Sequence, residues 1–141
     1  MATITGEQLI LSTPFTGGDG LRKVNITVKY NAVFNECERS LSPNLKFRET
    51  IKIVGVDFVP PAPPVEQGLL NILPVQDIPV TVGLGPLTVP RVRNAVALRS
   101  LLQEDLSLSD DDEIRCKISI AYVGASTPVV SASADKLLVL N

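Results

Sequence analysis

The sequence predicts an all-β fold, a single-domain antiparallel β-sandwich of about seven strands with one long proline-rich apolar connection. Three observations carry that expectation. Residues 21–34 place Val24, Ile26, Val28, Tyr30, Ala32 and Phe34 at every second position, with Lys23, Asn25, Thr27, Lys29 and Asn31 between them. Residues 113–123 alternate in the same way, with Ile114, Cys116, Ile118, Ile120 and Tyr122 against Glu113, Arg115, Lys117 and Ser119. Turn residues separate these runs from their neighbours, and no regular succession of helix and strand appears. A strand sends successive side chains to opposite faces, so period-two spelling means one dry face and one wet face. Burying each large apolar side chain stabilises by roughly 1.5–3 kcal/mol. A one-residue slip along 21–34 would drive lysines and asparagines into the core, so its register is strongly specified.

In chain order, residues 7–12 read as a short first strand. Pro14 and the run Gly17-Gly18-Asp19-Gly20 read as a loop. A glycine loop can cradle phosphate only with a helix N-terminus behind it; the strand of Lys23 to Phe34 follows instead, so a plain turn is expected. Asn35 to Asn44 is polar, ends in Ser42-Pro43-Asn44 and reads as a turn that carries Cys37. Leu45, Phe47, Ile51 and Ile53 then share one parity, and Val54, Val56 and Phe58 the other, with a β-bulge expected at Gly55. Glu49 shares parity with Phe47 and Ile51. It reads either as an edge or strand-end position near water, or as a buried acid paired with Arg48 or another base.

Val59-Pro60-Pro61-Ala62-Pro63-Pro64 ends that strand, because proline has no N–H for a ladder. It is a poor PxxP ligand, since no basic residue flanks it. Residues 65–90 are rich in Leu, Ile and Val but interrupted by Pro74, Pro79, Pro86 and Pro90, with Glu66 and Asp77 as the only charges. Ile78, Val80 and Val82 suggest a short edge strand. Arg91 to Leu102 is ambiguous between helix and strand. Val92, Val96 and Leu98 on one parity, with Arg91, Arg93 and Arg99 on the other, favour a strand. Gln103 to Asp112 is then the tip of a hairpin leading into 113–123. Gly124 and Pro128 make a turn, and Val129 to Leu140 closes the sheet as a last strand, with a terminal helix as the alternative.

A chain of 141 residues is one domain by length and buries roughly two-thirds of its unfolded surface, enough for a core. Apolar residues are 45% and charged residues 20%, which excludes whole-chain disorder. A net charge of −2, a pI near 5.1 and only 4% aromatics argue against nucleic-acid binding, which calls for a basic stripe and stacking platforms. The N-terminus has no basic start or apolar h-region and so is not a Sec signal peptide; the chain is expected to be cytoplasmic or non-classically exported, without a transmembrane segment. Cys37 and Cys116 are then free thiols by default, Cys116 on an apolar strand face and Cys37 in a turn. The triplet Asn25-Ile26-Thr27 reads as a strand surface rather than a glycosylation acceptor, for want of export.

There is no histidine. That removes Ser-His-Asp and Cys-His catalysis and nearly all zinc and iron sites, so no catalytic activity and no cofactor are expected. The paired carboxylates could in principle serve glycoside hydrolysis, but few aromatics remain to stack sugars. The leading expectation is a structural or protein-interaction module whose partner is itself or another protein, a homo-oligomer in contact through Leu69, Leu70, Ile72, Leu73, Val75 and Ile78. The alternative is a calcium-dependent membrane- or ligand-binding sandwich. Ca²⁺ takes about six to eight oxygen ligands, and Glu104, Asp105, Asp110 and Asp112 lie in one acidic stretch, without EF-hand spacing. The same charges also suit a solvated turn that blunts a sheet edge.

Overall fold

The 21–34 run becomes the hub of a sheet. A computed structural model of the chain describes residues 1–57, 65–70, 72–102, 113–123 and 130–137. Strand β3 (Arg22–Phe34) carries β1 (Thr3–Leu11) and the two-residue β2 (Phe15–Thr16) along one edge, and β7 (Leu87–Leu98) along the other. The second sheet is centred on β4 (Phe47–Asp57). On one edge lie β5 (Val65–Leu70) and β6 (Gln76–Ile78), and on the other β8 (Glu113–Tyr122) followed by β9 (Val130–Leu137). All pairings are antiparallel, and the two sheets pack face to face as an all-β sandwich.

The core forms where the predicted dry faces meet. Val24, Ile26, Val28, Ala32 and Phe34 from β3 lie against Phe47, Ile51 and Ile53 from β4 and Ile114, Cys116, Ile118 and Ile120 from β8, all buried. Phe47 bridges two aromatic neighbours, with ring centroids 4.7 Å from Phe34 and 4.9 Å from Tyr122. The 17–20 turn closes as expected, with Gly20 in the left-handed region at φ 80°. β1 starts earlier than expected. Its register shifts between Thr5 and Gln8 around Gly6, at φ 64°, so that Ile4 before the bulge and Leu9 after it both turn inward.

Several expectations need correction. The polar stretch after β3 contains a helix, α1 (Glu36–Leu41), rather than a turn alone. Asn35 accepts from the Glu38 N–H at 2.8 Å and the Glu38 carboxylate accepts from the Asn35 N–H at 3.0 Å, a reciprocal capping box. The irregularity at Gly55 exists only towards β5, where the register shifts between Ile53 and Gly55; towards β8 the ladder runs unbroken from Phe47 to Val56. The short edge strand falls on Gln76–Ile78 rather than Ile78 to Val82. The strand reading of Arg91 to Leu98 is correct, and Arg99–Leu102 forms one helical turn, α2. The expected hairpin between this strand and 113–123 does not form: β7 pairs with β3 in one sheet, and β8 lies between β4 and β9 in the other. Fourteen residues separate the two strands in the sequence, enough to cross between layers, and local spelling does not record that choice.

Candidate functional site

The most chemically loaded place in the fold is a cluster of charges inside the sandwich. Glu49 sits on β4 between Phe47 and Ile51 on the inward parity, so the strand carries its carboxylate into the core, where it is 0% exposed. The edge-position reading is therefore overturned, and the buried-acid reading holds with bases other than Arg48. Tyr30, from β3, donates its hydroxyl to Glu49 Oε1. Arg91, from β7, donates Nε to Oε1 at 3.1 Å and Nη2 to Oε2 at 3.3 Å, a bidentate fork. Arg93, two residues along the same face, donates Nη1 to Oε2. Arg48 points the other way and meets Asp77 at the surface, at 3.3 Å.

The cluster links both sheets, and it also ties down the start of the segment from Pro74 to Gly85, which contains β6. Arg93 Nη2 donates to the Pro74 carbonyl at 2.8 Å, and Arg91 Nη2 to Gln76 Oε1 at 3.0 Å. A third arginine, Arg39 on α1, fastens the far end of the same segment, between β6 and β7. Its Nε donates to the Thr81 carbonyl at 2.9 Å, and its Nη1 to the carbonyls of Leu84 at 2.8 Å and Gly85 at 3.1 Å. Gly83 makes room for that guanidinium, since a Cβ there would lie 2.1 Å from Arg39 Nη2. Three arginines thus hold a proline-broken segment that has few ladder bonds of its own.

Burial, reinforced by the hydrogen bond and the charge of Glu49, pushes the Tyr30 phenol well above its ordinary value, so it remains a proton donor. For Arg91, burial works to lower the value, but the hydrogen bond and charge of Glu49 outweigh it and the net shift is upward. Both Glu49 oxygens are engaged from two directions, and no face of the carboxylate is open to a substrate. Such an arrangement holds parts of the protein together. Breaking a buried pair by removing one partner typically costs about 3–5 kcal/mol, because the other charge is left uncompensated.

The residues singled out from the sequence are dispersed. Glu104, Asp105, Asp110 and Asp112 lie outside the described residues, as does the Val59 to Pro64 run. Among the described residues no group of three or more His, Cys, Asp or Glu is placed to hold a metal ion, and no helix is long and apolar enough to cross a membrane. Leu69 and Leu70 belong to β5. Leu73 and Ile78 are buried in the chain's own core, and Ile72 packs partly against it. Val75 does stand in solvent, 52% exposed. Cys116 is buried and Cys37 exposed. Sequence reasoning missed Arg91 and Arg93 as partners of Glu49. The available signal was a carboxylate on an apolar parity together with two arginines sharing one parity of another strand.

No family model matches the chain, and neither the curated proteins nor the solved structures contain a match to it.

Proposed function

We propose that this chain is a non-catalytic β-sandwich that works as a structural or protein-interaction module and associates with itself. One observation supports this most. The segment from Pro74 to Gly85, which contains β6, is held near its start by Arg93 and Arg91 and near its end by Arg39, yet it keeps Val75, Val82 and Leu84 out in solvent, with Leu84 87% exposed. Holding a loop in one conformation while its aliphatic side chains face water lowers the entropy cost of docking them against a partner. The missing histidine and the closed carboxylate of Glu49 fit a module that binds rather than one that reacts.

Of the contact set expected from the sequence, this reading keeps Val75 and adds Val82 and Leu84. Leu73 and Ile78 are spent on the core, and the exposed set is Val75, Val82 and Leu84. The test is light scattering of the wild type against Val82→Asp combined with Leu84→Asp. Both residues are exposed, so the β circular-dichroism spectrum is expected to stay and the molecular mass to fall. An unchanged mass would remove this loop from the contact.

A further inference from the structure

A second surface carries an inference of its own. β7 is twelve residues long and, among the described residues, only one of its edges is paired, by β3 from Lys23 to Phe34 without a register shift. Which of its backbone groups face the open edge follows from β3. The Ser12 N–H donates to the Asn25 carbonyl at 2.9 Å and Ser12 Oγ accepts from the Asn25 N–H at 2.9 Å, so both backbone groups of Asn25 point towards β1. Backbone groups alternate along a strand, so Val24, Ile26, Val28, Tyr30, Ala32 and Phe34 point towards β7. Their partners are Ala97, Ala95, Arg93, Arg91, Val89 and Leu87. The N–H and C=O groups of Val92, Asn94 and Val96 therefore face outward, without a ladder partner among the described residues. Pro90 has the same parity, so its missing N–H costs the β3 ladder nothing.

Long edges are ordinarily blunted by charge, bulges or a covering loop. Here the outward parity, Thr88, Pro90, Val92, Asn94, Val96 and Leu98, carries no charge, and Val92 and Val96 are each more than half exposed. The charges of the strand, Arg91 and Arg93, are turned inward to Glu49.

We infer that a second copy of this chain pairs with the β7 edge, antiparallel about a two-fold axis at Asn94, joining the two sheets as β1–β3–β7–β7–β3–β1. The inference takes from the proposed function only that the partner is another copy; the surface is a different one. The register follows from charge and volume. Centring on Asn94 sets Arg93 opposite Ala95 and Arg91 opposite Ala97 of the second copy, each large side chain beside a small one. It also sets Val92 opposite Val96, twice, on the outer face. Moving the axis to Arg91, Val92 or Arg93 places arginine opposite arginine, which is destabilising across strands. Moving it to Pro90 puts two prolines where donors are needed, and moving it to Ala95 shortens the ladder. With the axis at Asn94, Pro90 falls at the end of the ladder, opposite Leu98, and forfeits only a terminal bond.

The test uses the full chain. In a Cys37→Ser background, Asn94→Cys places two thiols at the axis, where the Cα separation of a hydrogen-bonded antiparallel pair, about 5.5 Å, suits a disulfide. Oxidation is expected to give a covalent dimer on a non-reducing gel, and Val82→Asp/Leu84→Asp is expected to leave that crosslink in place. Val92→Lys with Val96→Lys is expected to abolish the crosslink and the β7 contact by light scattering while the β spectrum stays. A wild type that is monomeric at high micromolar concentration overturns both this pairing and self-association. An oligomeric wild type whose Asn94→Cys variant does not crosslink, and whose lysine variant keeps its mass, overturns the β7 pairing alone.

Discussion

β3 and β7 are paired side by side along twelve residues, and they use the same period-two spelling in opposite ways. In β3 the apolar parity faces the core and the lysines and asparagines face out. In β7 the valines Val92 and Val96 face water, while Arg91 and Arg93 turn inward with Ala95 and Ala97. Alternation thus says that a segment is extended and two-faced, not which face is buried. For β7 that choice follows from a carboxylate on the opposite sheet. With Glu49 in the core, a strand that delivers two guanidinium groups to it is favoured over one that adds two more valines. The valines are left outside, in solvent.

The sharpest way to break the comparison is to place the same charge on the apolar parity of each strand. Val28→Asp buries an unpaired carboxylate in mid-core and is expected to cost roughly 4 kcal/mol or more, in effect unfolding the domain. Val92→Asp lands in solvent opposite Lys29 and is expected to change monomer stability by less than about 0.5 kcal/mol. Denaturant midpoints at low protein concentration measure both. Equal losses would contradict the inverted facing of β7.

Next in size is Glu49→Ala. It leaves Arg91 and Arg93 facing each other in the interior and is expected to cost about 3–5 kcal/mol. Arg93→Leu leaves the Arg91 fork in place and is expected to cost clearly less. If the order is reversed, Glu49 is not what draws the arginines inward.

The smallest effect is expected from Tyr30→Phe, about 1 kcal/mol at neutral pH for one lost hydrogen bond. Its signature lies in the alkaline limb. The unfolded phenol ionises near its ordinary value of 10.0, whereas the folded phenol is held higher by burial and by Glu49. The unfolded chain therefore releases this proton first. The contribution is fully present below about pH 10 and declines as pH rises above it. A wild type that loses stability more steeply than Tyr30→Phe above that pH is the expected outcome, measured by denaturant titration from pH 8 to 11.

Much of the architecture is written locally. The period-two runs of β3 and β8, the glycine turn at 17–20 and the strand character of residues 91–98 all follow from spacing and turn chemistry within a dozen residues. The helix α1 was also legible, in the Asn35 and Glu38 pair of its capping box, though the polar composition around it reads as a turn. Only the tertiary structure decided which strands became neighbours, that β7 and β8 lie in different sheets, and that Arg91 and Arg93 face inward. Those outcomes turn on Glu49 meeting side chains 42 and 44 residues further along the chain. Propensity and periodicity act over a few residues, whereas the cost of an uncompensated charge in the core is felt only once the sheets have closed around it.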